Sequence, residues 1–232
     1  AGAQGAPLEI RFVTFNVNFN NNATSIESDV KAVAPHADIM MLQEVKWVTV
    51  NNFLGNAWTV YQVVNQGDAR RGSALAVRNN KVSQITGQGL ALGVDATGVE
   101  MLDRYIAWMD IMLTNGQDLR VMSLHMPPAR FAGKQPGMAD SVVTLVNSTP
   151  RAVVVGGDWN YQVGNDPYDI RGRTGMVTRG IGIDGFYRDN SVVKLSSINS
   201  LASLNVNSDH APIQMITNVI PPASGVADWT LY

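Results

Sequence analysis

Glu44, Asp158, Asp184 and Asp209 supply carboxylates, Asn16, Asn18 and Asn160 supply amides, and His125 and His210 are two of only three histidines in the chain. Asn16 and Asn18 close the alternating run 8–17, Glu44 follows the apolar run 38–42, and His125 follows Val121-Met122-Ser123-Leu124. Asp158 and Asn160 follow Val153-Val154-Val155 through Gly156-Gly157. Asp184 sits in the Ile181-Gly182-Ile183 segment, and Asp209-His210 precedes the last apolar run. Polar groups at the ends of apolar strands stand on a rigid scaffold and still meet solvent, which is how layered folds display a site. The donors are hard: oxygen ligands suit Mg²⁺ or Ca²⁺. The absence of cysteine and the scattered histidines argue against structural zinc. A divalent cation that offsets phosphate charge, beside histidines that move protons, makes a toolkit for phosphoryl transfer.

The scaffold these residues need is affordable in a chain of 232 residues, 45% hydrophobic and 16% charged. That composition excludes global disorder and favours one domain. A net charge of -2 argues against a protein that coats nucleic acid through a large positive field. A local basic groove remains compatible, and the 12 Arg against 5 Lys suit bidentate phosphate contacts. No apolar run approaches the length of a membrane-spanning helix. Residues 1–7 read as a flexible lead-in, 8–219 as the folded domain and 220–232 as a tail.

Strands dominate the pattern. Runs 8–17, 38–42, 58–64, 73–77, 82–92, 153–155, 181–187 and 211–219 read as strands. Runs 104–113 and 119–124 flank Asn115-Gly116, a hairpin signal. Thr24-x-x-Glu27 is a capping-box pattern opening a helix that carries Ile26, Val30 and Val33, and Met138, Val142, Leu145 and Val146 repeat at helical spacing. The sum is a layered α/β fold with mixed or antiparallel sheets. The Gly-rich segment 169–182, with Arg171, Arg173 and Arg179, reads either as a mobile solvated loop or as a phosphate-tracking clamp. Arg70, Arg71, Arg104 and Arg130 would extend such a patch.

Six motifs occur in order: Thr14-Phe15-Asn16-Val17, Gln43-Glu44, Ser123-Leu124-His125, Gly157-Asp158-Trp159-Asn160, Ile183-Asp184 and Ser208-Asp209-His210-Ala211-Pro212. Together they resemble the motif set of the endonuclease/exonuclease/phosphatase superfamily, in its deoxyribonuclease-like branch. The Ala69-Arg70-Arg71 stretch is similar to the nuclease-like B subunit of cytolethal distending toxins. The resemblance implies a four-layer α/β/β/α sandwich with the site at one end of two packed sheets. It implies Glu44 as the principal Mg²⁺ ligand, with Asn16 beside it and Asp209 close by; Mn²⁺ or Ca²⁺ are the alternative ions. Asp158 would orient or deprotonate the attacking water, and Asn160 would hydrogen-bond the scissile phosphate. His210, oriented by Asp184, would act as general base or bind the phosphate. His125 would assist the leaving oxygen, and Asn18, Arg71, Arg104 and Arg173 would contact phosphate. Two positions depart from the pattern. Arg71 stands where that branch places a Glu partner for the second His, which takes from His125 the carboxylate that would raise its basicity. Gly185 replaces an aromatic and is expected to loosen its turn.

The expectation is a Mg²⁺-dependent phosphodiesterase, foremost a DNA endonuclease leaving 5′-phosphate and 3′-hydroxyl ends, acting as a monomer. A phosphoinositide phosphatase or sphingomyelinase-like enzyme is the first rival, and a non-enzymatic binding module the second. The first lacks a membrane-docking helix, and the second has no need of the full polar set. The compartment is open, with a weak lean to a secreted bacterial or phage-encoded protein.

Overall fold

The computed structural model describes residues 5–45, 48–63 and 72–223. Among these residues, twelve strands form two six-stranded sheets. The first runs β11-β12-β1-β2-β4-β3, from β1 (Leu8–Asn16), β2 (Ile39–Gln43), β3 (Trp58–Gln62), β4 (Ala74–Arg78), β11 (Val193–Ser200) and β12 (Ile213–Val219). The second runs β5-β6-β7-β8-β10-β9, from β5 (Val82–Val94), β6 (Arg104–Leu113), β7 (Asp118–His125), β8 (Ala152–Asp158), β9 (Val177–Ile181) and β10 (Asp184–Arg188). Each sheet has one parallel pair at its centre, β1 with β2 and β7 with β8. All other pairs are antiparallel, so both sheets are mixed, as expected.

Alternation along the strands makes the layers. Ile10, Phe12, Ile39, Met41 and Val154 enter the core between the sheets. Their neighbours Val13, Phe15, Met40 and Leu42 face the other way, onto Ile26, Val30 and Val33 of α1 (Ala23–Val33). Val153 and Val155 face Met138, Ala139, Val142 and Val146 of α3 (Gln135–Asn147). Both faces of the central strands are therefore covered, which is why they read as continuous apolar runs. The result is the four-layer α/β/β/α sandwich. Two short helices complete it, α2 (Asn51–Leu54) and α4 (Ile170–Thr174). Among the described residues, no helix is long and apolar enough to cross a membrane.

Several local expectations need correction. The cap of α1 is Asn22, whose side chain accepts from Ser25 N at 2.8 Å, while Glu27 pairs with Lys31 at 3.1 Å. Thr24-x-x-Glu27 thus starts two residues past the cap, inside the helix. The run 181–187 is not one strand: Gly182, at φ 65°, turns the chain between β9 and β10. Gly185 does not loosen a turn. It lies within β10, where a Cβ would meet Gly180 Cα at 2.6 Å, so it permits close strand approach. The segment 169–182 is ordered as α4 and β9.

Candidate active site

The C-terminal ends of the two parallel pairs meet at one end of the sandwich. Asn16 lies opposite Gln43 across β1 and β2, His125 opposite Asp158 across β7 and β8, and Asp158 opposite Asp184 across β8 and β10. The chain then turns sharply after the strands. Asn18, Glu44 and Asn160 all adopt left-handed backbone conformations, with φ of 60°, 59° and 50°. This conformation is disfavoured for residues with a Cβ and clusters at functional sites. A cleft of about 530 Å³ opens there, lined by Asn16, Asn18, Glu44, Arg104, His125, Asp158, Asn160, Asp209 and His210, with Arg130 on its wall.

Asp158 is the centre of the cluster. It is 2% exposed, and its Oδ2 accepts from Asn16 Nδ2 at 3.0 Å while its Oδ1 accepts from Asn160 N at 3.0 Å. His125 Nε2 stands 3.3 Å and His210 Nε2 3.7 Å from the same Oδ2. Burial alone would raise the Asp158 pKa, but the hydrogen bond from His125, the charge of His210 and the amide of Asn16 outweigh it and hold the carboxyl below its usual range. Asn160 Nδ2 donates to Met126 O at 2.6 Å, which fixes its side chain against β7. Trp159 points into the core, as its position between two site residues predicts, and donates from Nε1 to Gly185 O at 3.1 Å.

His210 lies beyond the other sheet, just before β12, and reaches across to β10. Its Nδ1 is 2.8 Å from Asp184 Oδ2. Burial disfavours the charged ring. The hydrogen bond and charge of Asp184, with Asp158 and Asp209 behind, nonetheless push the pKa up to about 9. Asp158, Asp184 and His210 bring ligand atoms within 4.8 Å of one another. One atom of His210 and one of Asp184 are engaged in their mutual hydrogen bond, so the triple suits moving a proton better than holding a cation.

His125 is bonded through Nδ1 to Arg104 Nη1. A guanidinium only donates, so Nδ1 accepts and the ring proton sits on Nε2, facing Asp158. The carboxylate that the sequence denied His125 is therefore supplied by Asp158. Arg71 lies outside the described residues.

The other donors sit around Glu44. Its Oε2 accepts from Phe19 N at 3.1 Å, and its Oε1 is 3.7 Å from His125 Nδ1, too far for a hydrogen bond. Asn16 Oδ1 accepts from Asn18 N at 2.9 Å, and Asn18 Nδ2 donates to Asp209 Oδ1 at 3.0 Å. These are oxygen donors with lone pairs to spare. Mg²⁺ keeps several waters and takes one or two carboxylates, so an open set of this kind fits it.

Eleven of the twelve residues expected at the site fall among the described residues, and all of these but Arg173 come together at this end of the sandwich. Arg173 does not line the cleft: it lies on α4, and its Nη2 pairs with Asp140 Oδ1 on α3 at 2.6 Å. Arg171 likewise pairs with Asp166 at 3.2 Å. Phe19, Met101, Leu102 and Phe131, which no motif in the sequence marks, line a hollow beside the cleft. They lie on connections where periodicity carries no signal.

No curated protein sequence matches this chain significantly. Solved structures do. An endonuclease/exonuclease/phosphatase family protein from Bacteroides thetaiotaomicron superposes with a TM-score of 0.71 at 17% identity, covering 93% of this chain and 96% of the other. Danio rerio TDP2 in complex with a single-strand DNA product gives 0.69 at 13%, covering 91% and 99%. The mannosyl-6-phosphatase Bt3783 of B. thetaiotaomicron gives 0.68 at 16%, covering 91% and 100%. At such identities these likenesses establish the fold. The profile of the endonuclease/exonuclease/phosphatase family matches residues 13–210, from the first cleft-bearing strand to His210. By that match the chain belongs to the endonuclease/exonuclease/phosphatase family, and it is a hydrolytic, divalent-metal-dependent phosphoesterase.

Proposed function

We propose that the protein hydrolyses phosphodiester bonds of nucleic acid, foremost as a Mg²⁺-dependent DNA endonuclease leaving 5′-phosphate and 3′-hydroxyl ends. The observation that carries this reading is the convergence on Asp158 of Asn16, Asn160, His125 and the His210–Asp184 pair, with Glu44 on the same cleft. Glu44 would hold the cation, with Asn16 and Asp209 nearby. When bound, it supplies positive charge against the phosphate and the departing oxygen.

The protein groups divide the proton work. Asp158 is ionised at neutral pH and accepts the proton of the attacking water. Asn16 and Asn160 keep its two oxygens aimed. His210, with a pKa of about 9, is protonated at neutral pH and so donates a hydrogen bond to a phosphate oxygen; this favours phosphate binding over the general-base role that the sequence left open. Asp184 fixes its ring, as the carboxylate does in hydrolytic triads. Arg104 and Arg130 line the cleft as the cationic groups for a nucleic-acid backbone. D. rerio TDP2, which carries a single-strand DNA product on the same fold, supports a nucleic-acid substrate.

Supercoiled-plasmid relaxation tests the proposal. Nicking with Mg²⁺ is expected, with loss in EDTA and in His210→Ala. A folded, Mg²⁺-loaded protein that leaves the plasmid supercoiled would refute the DNA reading; turnover of inositol phosphates or sphingomyelin by the same residues would then favour the lipid alternative.

A further inference from the structure

Beside the cleft lies a second hollow of about 230 Å³, and the two share Phe19, Glu44, Arg104 and Arg130 in their walls. Their chemistry differs. The cleft is carboxylate, amide and imidazole, whereas the hollow adds Met101, Leu102 and Phe131. Three separate connections build it: the turn after β1, the segment before β6 and the turn 129–134 after β7. A phosphate has no use for such walls, so they face whatever is attached to the phosphate. We propose, on the basis of the phosphodiester reading above, that this hollow is a subsite for the nucleobase of a nucleotide flanking the scissile phosphate.

Size is the first argument. Pockets that enclose a whole small ligand run to roughly 300–1,000 Å³. A hollow of about 230 Å³ takes one ring system and excludes a pair of acyl chains. Shape is the second. The Arg130 guanidinium stands 5.0 Å from the centroid of the Phe131 ring. Aromatic rings and Arg planes are the surfaces on which unpaired bases stack. Polarity is the third. Glu100 lines the hollow and is exposed, offering an acceptor to an exocyclic amino group. A carboxylate in that position repels a second phosphate and gives an alkyl chain nothing. Arg104 links the two spaces: it lines both and contacts His125, so a phosphate seated against it places the adjoining base in the hollow.

Equilibrium binding tests the subsite without relying on turnover. The probes are deoxyadenosine 5′-monophosphate, deoxyribose 5-phosphate and octyl phosphate, with Mg²⁺ present. The wild-type protein should bind the nucleotide about tenfold more tightly than the sugar phosphate, the scale of one base–aromatic stack. Phe131→Ala should erase that ratio while leaving sugar-phosphate binding unchanged. Phe131→Leu, which keeps apolar bulk but removes the ring, should erase most of it and carries the test if the alanine variant fails to fold. Equal binding of nucleotide and sugar phosphate by the wild type, or a ratio retained in the folded variants, would overturn the proposal. Octyl phosphate binding more tightly than the nucleotide would overturn it in favour of an alkyl group. A protein that keeps the ratio but does not nick plasmid would sink the endonuclease reading alone, and one that nicks without the ratio would sink the subsite alone.

Discussion

Replacing Asp184 by Asn removes the charge behind His210 while leaving an oxygen that can still accept from Nδ1. The wild-type ring, 2.8 Å from Asp184, has its pKa pushed up to about 9 against the opposing effect of burial. With Asp184 neutral, burial remains and only Asp158 and Asp209 oppose it. The midpoint should therefore fall to near the ordinary histidine value of about 6.5. Each pKa unit corresponds to about 1.4 kcal/mol, so the full shift would be ~3 kcal/mol; the solvent that still reaches this ring, 19% exposed, reduces that to roughly half. The folded pKa is raised. The stabilisation is therefore complete below about pH 6.5 and is lost as pH rises through about 9. NMR titration of the His210 ring in the metal-free protein reads the midpoint, and melting temperature against pH reads the linkage. Wild-type protein should lose stability between those two pH values, and Asp184→Asn should flatten that slope. A midpoint that stays near 9 in the variant would refute the assignment of Asp184 as the source of the shift. Hydrolysis by the variant should fall on the order of 10²- to 10⁴-fold, the range for a catalytic histidine held in the wrong protonation state.

Other perturbations follow from the same geometry. Mg²⁺ should raise the melting temperature of the wild type in a saturable way, and Glu44→Gln should abolish both that shift and the metal-stimulated hydrolysis. Asp110→Ala strips the buried partner of Arg120, whose Nε and Nη2 bond the carboxylate at 2.8 and 3.0 Å. It should cost about 3–5 kcal/mol in urea unfolding, with activity per folded molecule unchanged because neither residue lines the cleft. Gly157→Ala would place a Cβ 2.6 Å from the Leu124 carbonyl oxygen, forcing β8 away from β7 one residue before Asp158. It should cost about 1–3 kcal/mol and reduce activity well beyond that loss of folded protein, by circular dichroism against plasmid nicking.

Much of the site was legible because its residue types are rare and stand beside apolar runs. With three histidines in the chain, two of them at strand ends, His125 and His210 could hardly be missed. The fold was legible where both strand faces are buried, as in β2 and β8. It was obscured where they are not: β11 is an edge strand of the first sheet, half exposed and rich in Ser, Asn and Lys, and carries no apolar run. The cap of α1 was hidden in the repeat Asn20-Asn21-Asn22, where composition does not say which Asn bonds Ser25. Arg173 looked like a free cation because its partner Asp140 is 33 residues away on another helix. Phe19 and Phe131 follow the motif residues Asn18 and His125 but belong to turns, where side-chain direction depends on the folded path alone.

The active end is a seam between sheets, and this ties chemistry to packing. Asn16 and Glu44 come from the first sheet, His125, Asp158 and Asp184 from the second. The bonds Asn16–Asp158, at 3.0 Å, and His210–Asp184, at 2.8 Å, both cross the seam. Beneath them, Gln43 Nε2 donates to Ser123 Oγ at 3.1 Å and Ser123 Oγ donates to Leu42 O at 2.9 Å, again from sheet to sheet. Glycine sets the spacing: a Cβ on Gly156 would come within 3.1 Å of Met41 Cβ, across the same interface. A sliding of one sheet over the other by an ångström would stretch every one of these bonds together. A variant confined to this buried layer, such as Ser123→Ala, touches none of the reacting groups. It should nonetheless lower turnover, because the distances that aim Asp158 and His210 are inter-sheet distances.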